Sequence, residues 1–360
     1  MWIDNLKIKN CRLINDASIV LSKDVNIILG ENASGKTSLI ESLSLLSSGK
    51  SFRTSRIANV ISHNKSSILV SACLNFKTDK SQIGIEKSIT KTRIRINKQD
   101  IYSQAELSRY LPITIVHPES VEIITGTPSI RRSYIDWITF HLYPDFYIQW
   151  KKYTHILKQR NICLKDSSHL YSLNKWTEEL IYLQPSITNY RLLALDKLNV
   201  ELLKLSKKLL GKQIISLVFN NGFPIDLKLD LPSLRDHYKN KETTDIRFKS
   251  TSSGVHRADL KVFLNGKLAI NEASRGQLKL IAITLLLAQS MTINKDNNEK
   301  GIIVIDDLAA ELDIVNKEKL LEYLSTLNQQ VIITTTKKIA IKNTSLKTFH
   351  VKHGVFAEIK

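Results

Sequence analysis

Gly30-Glu31-Asn32-Ala33-Ser34-Gly35-Lys36-Thr37 follows directly on the apolar run Val25-Asn26-Ile27-Ile28-Leu29, and this junction decides how the rest of the chain is read. The segment matches the G-x-x-x-x-G-K-[ST] phosphate loop in its usual place after a strand. Glycines let the backbone close on a polyphosphate so that successive N–H groups point at it, and a helix beginning near Lys36 adds the positive end of its dipole. Lys36 is expected to reach the β- and γ-phosphates, and Thr37 to place its hydroxyl on Mg²⁺. Leu39, Ile40, Leu43, Leu45 and Leu46 give that helix its apolar side. The implied ligand is a nucleoside triphosphate.

Farther along, Gly301-Ile302-Ile303-Val304-Ile305-Asp306-Asp307 reads as a buried strand ending in two carboxylates. A carboxylate at the end of a strand neighbouring the phosphate loop holds Mg²⁺, so Asp306 looks like a Walker B aspartate and Asp307 is placed to polarise water as general base. Such a pair also suits a helix N-cap. Ser274-Arg275-Gly276-Gln277 precedes an apolar helix expected over Leu278–Ser290 and resembles the LSGGQ-type signature of ABC ATPases. Ser274, Gly276 and Gln277 offer a hydroxyl and backbone N–H groups to an anion; a plain serine cap is the other reading. A helix of that length spans about 20 Å. If its far end leads to the Asp306 strand, Ser274 reaches the triphosphate of a second copy and not its own. Glu311-Leu312-Asp313 follows as a D-loop, which puts Asp313 in the nucleotide-binding set.

The interval between Lys36 and Asp306 requires an insertion between halves of one ATPase lobe. Residues 1–115 read mostly as strands: Leu6–Ile8, Ser18–Leu21, Val25–Leu29, Ser67–Phe76, Ile83–Ser88 and Thr92–Ile96. Residues 116–240 carry helical periodicity over Arg131–Leu164 and Leu173–Leu210, with Pro185 interrupting the second run. Residues 241–360 return to strands, with a hairpin over Lys261–Ile270 whose Asn265-Gly266 pair favours a type I′ turn, and a second buried strand, Val331–Thr335. Buried strands alternating with helices indicate an α/β fold, an ABC-type P-loop lobe with a mixed sheet and flanking helices plus an inserted helical lobe.

With 360 residues, 42% hydrophobic, the chain can bury a sizeable core. Lys and Arg exceed Asp and Glu by 18, so the summed field attracts polyanions, nucleic acid first among them. Cys11, Cys73 and Cys163 are odd in number and widely spaced, which suits a reducing cytoplasm and indicates neither a disulfide framework nor a zinc site. The N-terminus lacks a signal pattern, and the apolar stretch around Ile281–Ala288 is short for a membrane span, so no membrane partner is expected.

Taken in order, phosphate loop, signature, Walker B and D-loop make the chain similar to the RecF family of bacterial recombination-mediator ATPases, relatives of the SMC and ABC ATPases. Further matching stretches are Gly49–Thr54, Pro128–Asp136, Lys158–Asn161, Gly254–Asp259 and Asp306–Asp313. The resemblance implies an ATP- and Mg²⁺-dependent homodimer and weak DNA-dependent ATPase that closes on duplex or single-strand/duplex junction DNA. It further implies a role with RecO and RecR in loading RecA during repair, replication restart and the SOS response. The chain departs from that pattern at Val255, where proline is usual, at Ala258, where aspartate is usual, and at Lys50, where arginine is usual. It shows no unambiguous Q-loop glutamine, and threonine follows Val331–Ile333 at the switch-histidine position.

For DNA, Lys91, Arg93 and Arg95 alternate along one face of a strand, where they can neutralise phosphates without reading sequence. Arg53, Arg56, Lys151 and Lys152 are further candidates. Two other classes share parts of the motif set. A transport ATPase subunit needs a membrane partner, and a small-molecule kinase would form no ATP-dependent dimer. Asn294-Lys295-Asp296-Asn297 fails the guanine motif N-K-x-D at its last position, so GTP is unsupported.

Overall fold

The computed structural model describes residues 1–296, 299–308, 312–339, 341 and 345–359. Ala309, Ala310 and Glu311 of the expected Walker B and D-loop stretch, and Asn297, lie outside the described residues. Two units emerge: Met1–Ser120 with Ser274–Lys360, and Val121–Ala273.

The first unit holds two six-stranded sheets. One is antiparallel, in the order β2 (Ile14–Val20), β1 (Trp2–Cys11), β4 (Ser67–Asn75), β5 (Lys80–Ser88), β6 (Thr92–Ile96), β7 (Gln99–Ile101). Alternation builds it: Leu6 and Ile8 of β1 face inward while Lys7 and Lys9 face out, and a register shift between Ile3 and Asn5 brings Ile3 into the core as well. The other runs β15 (Val355–Ile359), β14 (Leu346–Lys352), β3 (Val25–Leu29), β13 (Val331–Thr335), β12 (Ile302–Ile305), β8 (Ile113–Val116). All its pairings are parallel except β14 with β15. Every residue of β12 and β13 is buried, as expected of parallel strands covered on both faces. Helix α1 (Lys36–Ser48) shares one apolar cluster with both sheets: Leu39, Ile40 and Leu43 join Ile8, Val70 and Ile85 of the first sheet and Ile28, Val304 and Ile332 of the second. A short helix, α2 (Gln104–Tyr110), packs on α1 and is capped by Ser103 accepting from the Glu106 N–H.

The second unit contains α3 (Glu122–Thr125), α4 (Pro128–Leu142), α5 (Pro144–Lys165), α6 (Leu173–Leu209), α7 (Leu231–Phe248) and α8 (Ala269–Glu272), with a three-stranded sheet of β9 (Ile215–Asn220), β10 (Asp259–Leu264) and β11 (Lys267–Leu268). The expected boundary at 240 is corrected. It falls inside α7, and the insert runs to Ala273 because β10 pairs with β9 and not with the ATPase sheets. Pro185 does not interrupt the second helical run; α6 continues through it. Ile181, Gln184, Ile187, Thr188 and Arg191 are all buried along that stretch, and tertiary burial outweighs a proline cost of about 3 kcal/mol. The first run breaks instead at Pro144, which opens α5. In the hairpin, Asn265 and Gly266 adopt φ of 51° and 81° as a type I′ turn demands, but the second arm is short because Ala269 and Ile270 start α8.

Helix α9 (Arg275–Asp296) returns the chain to the first unit. It is longer than the expected Leu278–Ser290, and over Arg275–Lys295 it has the length and composition of a membrane span, with mean hydropathy 1.4. Its window is 72% buried within the protein, the pattern of a core helix.

Charge is buried in the second unit as well. Arg160 and Asp245, 1% and 0% exposed, pair at 2.8 Å, and Thr177 and Thr251 take further guanidinium hydrogens. His256 lies near this pair. Its Nε2 donates to the Thr251 carbonyl at 3.2 Å, which leaves Nδ1 to accept from the Tyr153 hydroxyl at 2.7 Å, the neutral tautomer. Burial pushes its pKa down to about 4, the Thr251 bond opposes this, and Arg257, Arg132 and Arg160 add to the lowering. An unfolded histidine protonates near ~6.5, so between the two values the unfolded chain binds more protons. Stability is therefore full above that range and falls as pH drops through ~6.5 toward ~4, by about 1–3 kcal/mol. Urea titrations at pH 7 and pH 4.5 should show this loss, and His256→Gln should remove that part of the pH dependence.

Candidate nucleotide site

The phosphate loop stands where β3 ends. Gly30 N–H donates to the Thr335 carbonyl at 3.2 Å, the last rung of the sheet, after which the chain turns through Ala33 (φ 61°) and Gly35 (φ 115°) into α1. A Cβ at Gly30 would lie 2.6 Å from Ser34 Oγ, and Gly35 combines its positive φ with Gly354 Cα 3.2 Å from the site of a Cβ. The β14–β15 turn is bound to the loop directly, Gly354 N–H donating to Ser34 O at 2.8 Å. Lys36 folds back over the loop, its Nζ donating to Gly30 O at 2.8 Å and Glu31 O at 2.7 Å. Burial lowers its pKa, and the charges of Asp307 and Asp306 oppose the lowering.

Asp306 is buried at the end of β12 and accepts from the Thr334 hydroxyl at 2.7 Å. Thr334 Oγ1 in turn accepts the Asp307 N–H at 2.9 Å. One threonine thus holds the Asp306 carboxylate and the Asp307 backbone. It can do so because β13 lies between β3 and β12, so the Asp306 strand is one removed from the phosphate-loop strand and not its immediate neighbour. Threonine at the switch position therefore orients the acidic pair. Burial raises the Asp306 pKa; hydrogen bonding to Thr334 and Thr37 and the charge of Arg53 lower it, and Asp307 raises it. Asp307 takes φ 52°, a left-handed conformation that aspartate tolerates better than most side chains. Its Oδ1 and Ser34 Oγ are buried without a hydrogen-bond partner among the described residues. Two orphaned polar atoms beside a lysine and a turned glycine loop are what a bound polyphosphate and its water would satisfy.

These groups open into a cavity of about 700 Å³ whose lining includes Asn32, Lys36, Thr37, Asp306 and Asp307. Arg12, Arg53 and His63 also line it, and sequence reasoning missed the first and last of these. No motif marks Arg12, whose role comes from its pairing. Its guanidinium binds Glu41 of α1 in two-pronged fashion, and Ser51 Oγ donates to Glu41 Oε1 at 2.6 Å. Glu41 is 0% exposed. Arg53, expected on DNA, is exposed and lines this cavity, where the Ser51 hydroxyl turns the chain back by accepting the Arg53 and Thr54 N–H groups.

The signature and D-loop residues are not brought to this cavity. Ser274 and Gln277 form a reciprocal cap on α9: Gln277 N–H donates to Ser274 Oγ at 3.3 Å and Ser274 N–H to Gln277 Oε1 at 2.8 Å. Ser274, Arg275 and Gly276 are exposed, and a Cβ on Gly276 would meet nothing within 4 Å. Asp313 caps the helix Ile314–Ser325 by accepting from the Asn316 N–H at 2.9 Å, which holds its carboxyl below the usual range. None of Ser274, Gly276, Gln277 or Asp313 lines the cavity. Among the DNA candidates, Lys91, Arg56, Lys151 and Lys152 are exposed. Arg93 and Arg95 face the same side of β6 as expected, yet both are held by Asp100, at 3.1 and 2.7 Å.

The family model described as RecF/RecN/SMC N terminal domain matches residues 2–357. DNA replication and repair protein RecF of Shewanella sediminis is 32% identical over 360 residues, covering 98% of each chain. A solved structure of the recombination mediator protein RecF-ATP in the RecFOR pathway superposes with TM-score 0.89 at 24% identity, covering 100% of this chain and 98% of that one. The Smc head domain with an extended coiled coil from Pyrococcus furiosus gives TM-score 0.61 at 16% identity over 99% and 96% of the two chains. At these identities the structures establish a shared fold.

Removing the Arg12 guanidinium would leave the Glu41 carboxylate buried without its ion partner. Arg12→Ala is expected to cost about 3–5 kcal/mol in urea unfolding, and the double change with Glu41→Gln to recover much of it.

Proposed function

The chain belongs to the RecF family, and on that premise we propose that it is an ATP-operated DNA-binding protein of repair and replication whose working form is a dimer joined through nucleotide. One observation carries this reading: the phosphate loop and acidic pair are complete on one chain, while Ser274, Gly276 and Asp313 are exposed, and they and the half-buried Gln277 lie outside the cavity they would serve. Helix α9, with 22 residues, extends about 33 Å, farther than the shorter helix expected from sequence. Ser274, Gly276, Gln277 and Asp313 are thereby suited to a second copy's triphosphate.

Within each site, Lys36 leaves the Gly30 and Glu31 carbonyls for the β- and γ-phosphates, and the loop N–H groups enclose them. Thr37 and Asp306 are the residues that would hold Mg²⁺, which when bound neutralises charge developing on the transferred phosphoryl group. Asp307, with one free carboxylate oxygen, orients the attacking water and takes its proton. Hydrolysis is slow and stimulated by DNA, since the site is whole only when two chains close. The net charge of +18 supports binding of duplex and junction DNA, and the family assignment supports action with RecO and RecR toward RecA in the cytoplasm.

Sedimentation with ATP·Mg²⁺, with ADP and with gapped duplex tests the scheme. Dimer is expected with ATP alone or with ATP and DNA; one unchanging mass in every condition refutes it. Lys36→Ala should abolish nucleotide-driven dimerisation, and Ser274→Arg should bind ATP yet stay monomeric. Asp307→Asn should accumulate dimer while turnover drops roughly 10²–10⁴-fold.

A further inference from the structure

The segment Thr251–Asp259 joins α7 to β10 in the second unit and contains the Gly254–Asp259 stretch that the nucleotide site leaves unused. Side chains from several helices hold its backbone. Tyr238 of α7 donates to Ser253 O at 2.9 Å, Arg191 of α6 to Val255 O at 2.6 Å, and Arg132 of α4 to Ala258 O at 2.8 Å.

The arginines gathered here fall into two kinds. Arg131 is neutralised by Asp259 through bonds of 2.6 and 3.0 Å, and Arg191 by Asp136 at 2.7 and 2.9 Å. Arg132 and Arg257 have no carboxylate within ion-pair distance among the described residues. Their partners are carbonyls: Ala258 O for Arg132, and Thr251 O for Arg257 at 3.2 and 3.4 Å. A carbonyl orients a guanidinium and leaves its charge in place. Three further facts sharpen the excess. Burial and then the charge of Arg191 lower the pKa of Arg132, the charges of Asp136 and Asp259 oppose this, and Arg257 lowers it further. Helix α4 begins at Pro128 with no acidic residue in its first turn and no side-chain cap, so its positive end adds to the same field. Arg257 is exposed and Arg132 half-buried, so both can be reached.

We propose that Arg132 and Arg257 form a phosphate-binding fork for the nucleic-acid backbone, pre-set by the carbonyls of Thr251 and Ala258. The proposal rests on the DNA-binding reading above and adds a contact surface in the inserted unit. Guanidinium forks match phosphate oxygens in pairs. The exposed residues of Thr251–Asp259 are Ser252 and Arg257, with Val255 and Ala258 buried, so the loop offers an apolar protein segment nothing to bury and a solvated anion chain two donors. Contacts of this kind position the duplex without reading its bases.

The test is fluorescence anisotropy of gapped duplex over a salt series. Replacing both residues, R132Q with R257Q, should cut affinity at least tenfold at low salt, equally for unrelated sequences. It should also make the slope of log affinity against log salt shallower by about 1.8, two phosphate contacts at ~0.9 each. Since Arg132 also ties two segments together, R257Q alone is the guard against misfolding: it should reduce the slope by about 0.9 while ATP binding and melting temperature stay unchanged. R132K with R257K should keep the slope and lose part of the affinity. If the wild type binds duplex and the double variant matches its affinity and slope, the fork is refuted and the DNA reading stands. If the wild type binds no DNA, both fall. Loss of poly-glutamate binding with duplex binding intact would assign the fork to an acidic protein and overturn it.

Discussion

The architecture turns on a carboxylate that water does not reach. Helix α1 is buried on nearly every side, and Glu41 within it would make that burial prohibitive were its charge not met by Arg12 and its remaining lone pairs by Ser51. The pairing does more than compensate a charge. Arg12 sits at the turn between β1 and β2, and Ser51 in the loop after α1, so one ion pair fixes the antiparallel sheet, the helix and the following turn relative to one another. The phosphate loop is the N-terminal entry to the same helix and inherits its position.

A similar economy governs the acidic pair. Thr334 donates to Asp306 and accepts from the backbone of Asp307, so any movement of β13 relative to β12 is felt at once by the Asp306 carboxylate and the Asp307 main chain. β13 is also paired with β3, with Thr334 opposite Ile28 and Thr335 opposite Leu29. The strand carrying the threonine therefore couples the strand-end aspartates to the Gly30–Thr37 loop through main-chain hydrogen bonds and not through a long side chain.

How much of this was legible in the sequence depends on whether the information was local. The glycine loop, the helix after it and the two apolar strands could be read because each is decided by spacing within about a dozen residues. The position of Asp306 and Asp307 at the end of a buried strand was legible for the same reason. What escaped depends on register or on distant partners. β8 was not recognised as part of the parallel sheet, because Ile113–Val116 gains its meaning only beside β12. Pro185 looked like a break, and the burial that carries α6 through it comes from other segments. Arg93 and Arg95 looked free, but hairpin register puts Asp100 opposite Arg95. Arg53 was read by its charge, whereas its location follows from a serine two positions earlier that accepts its N–H.

The order in which strands meet carries one more consequence. β3, which leads into the phosphate loop, has β13 and β14 as its two neighbours, and the turn after β14 supplies the Gly354 bond to Ser34. A chain emerging from the ribosome presents β3 early and its flanking strands last. Until those late strands emerge, the segment Gly30–Thr37 lacks both strands that flank β3 and the Gly354 bond that holds Ser34, so the loop takes its final shape only as synthesis nears its end.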